Sequence, residues 1–178
     1  MRDGGIGCAS GPSLIFLVGL PGSGKSTWAR SCLALHPEGR LISTDAIRGQ
    51  LFGDESIQSS WVKIWLEVRR QFQEAVSQIA LGQASFAIYD ATNAVRKQRR
   101  QAIALARKTG FSQISGLWLN TPLWVCLEQN QRRDRQVPEA VILRMSRRLY
   151  GAPPSAEDGL DSLSELTINH LEGGGQVG

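Results

Sequence analysis

A chain of 178 residues, 42% hydrophobic and 20% charged, has the make-up of one globular domain and can bury a core without metal or disulfide staples. Its net charge of +4 fits a protein that handles phosphorylated ligands and fits a plain solvated basic surface equally well. Cys8, Cys32 and Cys126 are scattered and the only imidazoles are His36 and His170, which argues against a zinc site and suits a reducing cytoplasm. The longest apolar run, Leu14 to Leu20, is too short to cross a bilayer, and no signal-type stretch opens the chain, so a cytoplasmic location away from membranes is expected.

In chain order, residues 1–12 and 171–178 are rich in glycine and small residues and read as flexible tails around a domain at 13–170. Ser13 to Val18 is a short apolar run, read as a buried strand, and Lys25 to Leu35 reads as a helix. Arg40 to Ser43 gives a second strand. Ile57 to Ala80 has apolar residues at 57, 61, 64, 65, 68, 72, 75, 76 and 79, a helical stripe held over several turns. Ser85 to Tyr89 is a third strand, and Val95 to Lys108 a basic helix stopped by Gly110. Ile114 to Leu119 is a fourth strand, Pro122 and Pro138 each open a helix, and Leu166 to Asn169 is read as a last short strand. Strands alternating with helices predict an α/β fold, with a mainly parallel sheet of about five strands covered on both faces. In such sheets ligands bind at the carboxyl ends of the strands.

The segment Gly19-Leu20-Pro21-Gly22-Ser23-Gly24-Lys25-Ser26-Thr27 carries the full pattern G-x-x-x-x-G-K-[ST] between an apolar strand and a helix. Its glycines let backbone N–H groups curl toward phosphate oxygens, and the following helix adds its positive end. Lys25 can reach the outer phosphates and Ser26 can ligate Mg²⁺. A P-loop that binds ATP or GTP with Mg²⁺ is therefore expected at Gly19, Pro21, Gly22, Ser23, Gly24, Lys25, Ser26 and Thr27. No Asn-Lys-x-Asp run is present to read a guanine.

Asp90, after Phe86-Ala87-Ile88-Tyr89, suits a second metal ligand at the tip of a parallel strand, and equally a turn acid of Asp90-Ala91-Thr92-Asn93. Asp45 and Arg48, three apart after the second strand, share a face if a helix begins there. They are either a cap and a surface pair, or a carboxylate that takes a proton from an attacking hydroxyl beside an arginine that holds an anionic acceptor.

Taken together, Gly-Leu-Pro-Gly-Ser-Gly-Lys-Ser-Thr-Trp-Ala-Arg, Ser-Thr-Asp-Ala-Ile-Arg, Tyr-Asp-Ala-Thr-Asn and Arg-Arg-Asp-Arg-Gln-Val-Pro make the chain resemble the kinase domain of phage-type polynucleotide 5′-hydroxyl kinase and its bacterial relatives, from about Leu14 to Pro154. The resemblance implies a P-loop NTPase/kinase fold with a helical lid, ATP rather than GTP, and Asp45 as general base. It implies that Arg48 binds the acceptor's neighbouring phosphate, that Asp90 supports Arg48 or the metal, and that Asn93 lies on the acceptor side. The run Gln131-Arg132-Arg133-Asp134-Arg135 falls where such kinases carry the lid, and Arg132 is favoured over Arg133 as the arginine that meets the transferring phosphoryl group. One departure stands out: the family often has Arg-Asn where this chain has Gln129-Asn130. A chain of this length is also expected to lack the phosphatase domain of the phage-type enzyme.

The implied activity is transfer of the γ-phosphate to a nucleotide or polynucleotide 5′-hydroxyl, with nucleic-acid ends among the partners. A small-molecule kinase of the antibiotic or nucleotide-sugar phosphotransferase type shares most of these residues, and a non-catalytic ATP-binding switch would keep Lys25, Ser26 and Asp90 without needing Asp45. Trp61 and Trp65 lie on the apolar face of the long helix and are expected to pack in the core. Arg96, Lys97, Arg99 and Arg100 crowd a helix start where positive charge is slightly unfavourable, so either a solvated face or an anionic partner is expected there.

Overall fold

The computed structural model describes residues 11–52 and 61–167; the expected tails at residues 1–10 and 171–178, Cys8, and the expected helical start at 57–60 lie outside them. Among the described residues, β1 (Ser13–Val18), β2 (Gly39–Ser43), β3 (Phe86–Asp90), β4 (Gln113–Leu119) and β5 (Ser162–Leu166) form one sheet in the order β2-β3-β1-β4-β5. Every neighbouring pair runs parallel. The strands are joined through α1 (Lys25–Leu35), α2 (Thr44–Phe52), α3 (Trp61–Ala80), α4 (Arg96–Thr109), α5 (Leu123–Gln131) and α6 (Glu139–Gly151). No helix among the described residues is long and apolar enough to cross a membrane.

The two-residue period of the strands builds two cores. Leu14, Phe16 and Val18 of β1, with Ala87 and Tyr89 of β3, face the larger core, where Ile64, Val68 and Phe72 of α3 meet Ile103 and Ala106 of α4. Leu17 and Ile88 point the other way, onto Ala29 of α1 and Leu119 of β4. Both faces of the sheet are thus covered, which is why its strands read as continuous apolar runs. Phe72 anchors the larger core, its ring edge-on to Tyr89 at 5.1 Å and to Phe111 at 5.7 Å. Cys126 is buried in the larger core and Cys32 packs at the edge of the smaller one, as small apolar side chains.

Two expectations need correction, and a third holds only in part. The last strand lies at Ser162–Leu166 rather than from Leu166 onward, pairing with β4 from Ser115–Ser162 to Leu119–Leu166. It is an edge strand whose exposed serines and glutamate hide its extended character, and only Leu163 packs against the core. Trp61 does not join the core with the rest of its stripe. It is 46% exposed and stacks on Trp65, with ring centroids 6.1 Å apart and planes 20° from parallel; both rings line a cavity.

The basic start of α4 is a solvated face at Arg96, Lys97 and Arg100, which are exposed, but not at Arg99, which turns inward to an anion of the chain itself. Arg99 is fully buried against the equally buried Asp158, with Nε 2.7 Å from Oδ2. The same guanidinium donates to the carbonyls of Asn93 at 3.1 Å, Ala152 at 3.0 Å and Pro153 at 3.2 Å. Arg96 reaches the other oxygen of Asp158 at 3.2 Å and Glu157 at 3.1 Å. The anion that balances this helix start is therefore the chain's own short 3₁₀ turn at Ala156–Asp158, and the network ties the loop after β3 to the end of α6.

Removing one partner of a buried ion pair leaves an uncompensated charge in the interior. Arg99→Ala is expected to lower unfolding stability by about 3–5 kcal/mol in a urea titration. Arg100→Ala, at an exposed neighbour, is expected to stay within about 0.5 kcal/mol.

Candidate active site

The parallel register gathers the chemistry at one edge of the sheet. Ser43 pairs with Asp90, so the loops leaving β2 and β3 start side by side, while β1, two strands from β2 in the sheet, feeds the P-loop. α1 begins at Lys25 on a left-handed Gly24, with no side-chain cap and no acidic residue in its first turn. Its first N–H groups therefore have no anionic neighbour on their own helix.

The loop is gripped from both sides. The amide of Gly19 donates to the Thr92 carbonyl at 3.1 Å, and Asn93, in left-handed backbone with φ of 50°, donates its side-chain amide to the Leu17 carbonyl at 2.7 Å. On the far side the buried Thr121 hydroxyl donates to the Ser23 carbonyl at 2.8 Å. Gly22 has φ of 80° and lies so close to α5 that a Cβ there would collide with the Cys126 carbonyl, so only glycine fits.

Lys25 is only 8% exposed, and its ammonium donates to the Leu20 carbonyl at 2.7 Å. Burial pulls its pKa down to about 8, against the upward pull of Asp90 and Asp45, with Arg133 adding to the fall. Ser26 donates its hydroxyl to Asp90 Oδ2 at 2.6 Å. One hydroxyl and one carboxylate, both hard oxygen donors beside a phosphate cradle, fit Mg²⁺, which takes one or two protein oxygens and completes its shell with phosphate and water. Ser26 and Asp90 are the residues that would hold it.

A cavity of about 1000 Å³ covers this edge. Pro21, Gly22, Gly24, Lys25, Ser26 and Thr27 line it from the P-loop, and Asp45, Arg48 and Asp90 from the neighbouring strand ends. α2 does begin at Thr44, with Ser43 Oγ accepting from the Ala46 amide at 3.4 Å, and this sets Asp45 and Arg48 one turn apart, Nη1 to Oδ1 2.5 Å. They form the ion pair that the spacing allows, and they form it in the cavity wall. Gly19 and Ser23 sit behind the loop rather than in the cavity, and Asn93 lines a second, adjoining cavity of about 420 Å³.

The connection between α5 and α6 lines the larger cavity with Arg132, Arg133, Asp134 and Arg135, beside Gln129 of α5. Arg132 is tied to Glu128 at 2.5 Å, while the charge of Arg133 is the one that reaches Lys25. Gln129, at the position of the missing arginine, does face the cavity. The loop is closed at its base by Asn130, whose buried amide donates to the Val137 carbonyl at 2.8 Å and accepts from the Val137 amide at 2.9 Å. Asn130, Thr121 and the Arg99–Asp158 pair were not legible as site residues, because a polar side chain that bonds distant backbone leaves no periodic trace in the sequence.

The chain is 27% identical over 135 residues to the L-seryl-tRNA(Sec) kinase of Methanococcus maripaludis, a match covering 74% of this chain and 50% of that protein; the chain thus spans half the length of this relative. In fold it resembles a chain of the Pnkp1/Rnl/Hen1 RNA repair complex, with a TM-score of 0.64 at 19% identity over 82% of this chain and 46% of that one. It also resembles Chaetomium thermophilum Kti12 in complex with ADP-AlF3, with a TM-score of 0.63 at 20% identity over 89% and 91% of the two chains. A family model described as an AAA domain matches residues 14–152, and the chain belongs to that family, with the α/β fold of the P-loop kinases.

Proposed function

We propose that the chain is an ATP- and Mg²⁺-dependent phosphotransferase that moves the γ-phosphate to a nucleotide or polynucleotide 5′-hydroxyl. One observation carries the reading: the phosphate-binding Lys25, the Ser26–Asp90 pair and the Asp45–Arg48 pair all line a single cavity. A switch needs the first two; a carboxylate across the cavity from the phosphate cradle serves an acceptor. The names of the relatives, a seryl-tRNA(Sec) kinase and an RNA repair complex, support an acceptor linked to nucleic acid.

In this mechanism the P-loop amides and Lys25 hold the β- and γ-phosphates, and bound Mg²⁺ neutralises their charge. Asp45 accepts the proton of the acceptor hydroxyl as its oxygen attacks the γ-phosphorus in line, and the bond to the β–γ bridging oxygen breaks to release ADP. Arg48 steadies Asp45 and the acceptor's phosphate. Arg132, once it leaves Glu128, meets the equatorial oxygens of the transferring group, and Arg133 adds to the positive field over Lys25. Asn93 shapes the acceptor side by holding the loop after β3 against β1.

Label from γ-labelled ATP is expected on a 5′-hydroxyl oligonucleotide, and Asp45→Asn is expected to cut transfer by about 10²–10⁴-fold, the usual worth of a general base, with ATP affinity intact. Label on a nucleotide sugar or an antibiotic instead would move the assignment to a small-molecule kinase, and ATP binding without transfer to any acceptor would favour the switch. Arg132→Ala is expected to lower kcat by about 10³-fold, the lower end for an arginine on a transferring phosphoryl group, with little change in ATP affinity.

Lys25 gives the site a pH signature. Its pKa near 8 in the free protein rises when a polyphosphate pairs with it, so above that pH binding must take up a proton. ATP affinity is therefore expected to be flat below the free-protein pKa and to fall as pH rises through it. Titration calorimetry at about pH 8.5 in two buffers of different ionisation enthalpy should show proton uptake, which Lys25→Met abolishes.

A further inference from the structure

The second cavity opens directly off the first: Arg48, Ala91, Thr92, Val141 and Met145 line both. Its remaining wall has an unusual chemistry. Trp61 and Trp65 of α3 present a stacked pair of indoles, Arg144 and Arg148 of α6 stand one helical turn apart, and Gln98 of α4 adds an amide. No acidic side chain lines this cavity among the described residues. Neither Arg144 nor Arg148 forms an ion pair among those residues, in contrast to Arg96, Arg99 and Arg107, which do.

Burial leaves Trp61, and not Trp65, free to take a ligand rather than complete the core. Trp65 packs against the larger core, whereas Trp61, stacked on it, keeps 46% of its surface exposed. An indole with one supported face and an open surface is a platform for another flat ring, and base–aromatic stacking of this kind is worth about 1–3 kcal/mol per base. Arg144 and Arg148 beside it, exposed and without an ion pair among the described residues, have guanidinium groups available to an anion. They disfavour a cationic acceptor, such as an aminated sugar, by like-charge repulsion. A planar ring joined to phosphate is a nucleotide.

We propose that this cavity is an acceptor subsite for the 5′-terminal nucleoside of a single-stranded nucleic acid, with the terminal base stacked on Trp61 and the following phosphates held by Arg144 and Arg148. Thr92, which with Arg48 lines both cavities, receives the ribose, so that its 5′-hydroxyl turns toward Asp45. The subsite rests on the phosphotransferase reading above and identifies its acceptor. Its size suits the assignment, since about 420 Å³ holds one nucleoside and not a folded duplex end.

The test measures binding separately from transfer. A 5′-hydroxyl oligonucleotide carrying a 3′ fluorophore is titrated with wild type, Trp61→Ala, Trp61→Phe, the double variant Arg144→Ala/Arg148→Ala, and Leu66→Ala as an exposed control on the same helix. Trp61→Ala is expected to weaken binding by about 5- to 100-fold, Trp61→Phe to restore most of it, and Leu66→Ala to match wild type. The double arginine variant is expected to flatten the dependence of affinity on salt by about 0.7 per lost phosphate contact. In steady state, Trp61→Ala is expected to raise KM for the oligonucleotide far more than it lowers kcat, with the KM for ATP unchanged.

A nucleoside 3′-monophosphate run in parallel separates a mononucleotide acceptor from a longer strand. If both respond equally to Trp61→Ala and the double arginine variant binds like wild type, the strand contacts are overturned. Transfer by wild type that is indifferent to Trp61→Ala overturns the subsite and leaves the kinase reading standing. Trp61-dependent binding with no transfer overturns the kinase reading and leaves the subsite. No binding of either nucleic-acid probe overturns the subsite whatever the kinase does elsewhere.

Discussion

A phosphate loop is a strip of backbone with few side chains to hold it, so its shape depends on what grips it from outside. In this chain the grip is a set of hydrogen bonds to its carbonyls and amides. Thr92 and Asn93 hold the loop's approach on one side, and Thr121 holds Ser23 on the other. Asn93 is in turn fixed through its own carbonyl by Arg99, and Arg99 by Asp158. The buried ion pair beneath α4 therefore acts as a foundation for the nucleotide site, although it touches no ligand. This arrangement accounts for a charge buried at a cost: a hydrophobic pair in its place would pack but could not hold three carbonyls at once.

Electrostatically the site is a compromise between burial and neutralisation. Lys25 is pulled down by desolvation and held up by two carboxylates, so its charge responds to whatever anion arrives. Arginine, whose charge does not titrate, occupies the positions around it: Arg48 against Asp45, Arg132 against Glu128. Each is paired with a partly exposed carboxylate one turn before it. Such pairing keeps a strongly basic cavity compatible with a folded protein in the absence of ligand.

Much of this was legible in the sequence wherever the signal is local. The P-loop, the first four strands and the long amphipathic helix announce themselves through a motif or a period, and the structure has them within a few residues. β5 was misplaced because an edge strand is half solvated and reads as polar. Asp45 and Arg48 could be named but not assigned, since their spacing serves a surface pair as well as a catalytic one, and only the register of Ser43 with Asp90 puts them in the same cavity as the P-loop. Arg99 was misjudged because its partner lies 59 residues away, beyond any window in which charge patterns are read. The stripe that predicts Trp61 in the core is correct for most of α3 and fails at its first residue, which stands half-exposed beside a cavity.

The closure of the lid loop on itself has a mechanical consequence. Asn130 clasps both backbone groups of Val137, and Gln136 donates to the Gln131 carbonyl at 2.8 Å, so the arginines between them ride on a ring rather than on a free strand. A ring of this kind has already lost most of the chain entropy that an open loop would lose on ordering. The arginines it carries are therefore held at a set spacing where they line the cavity.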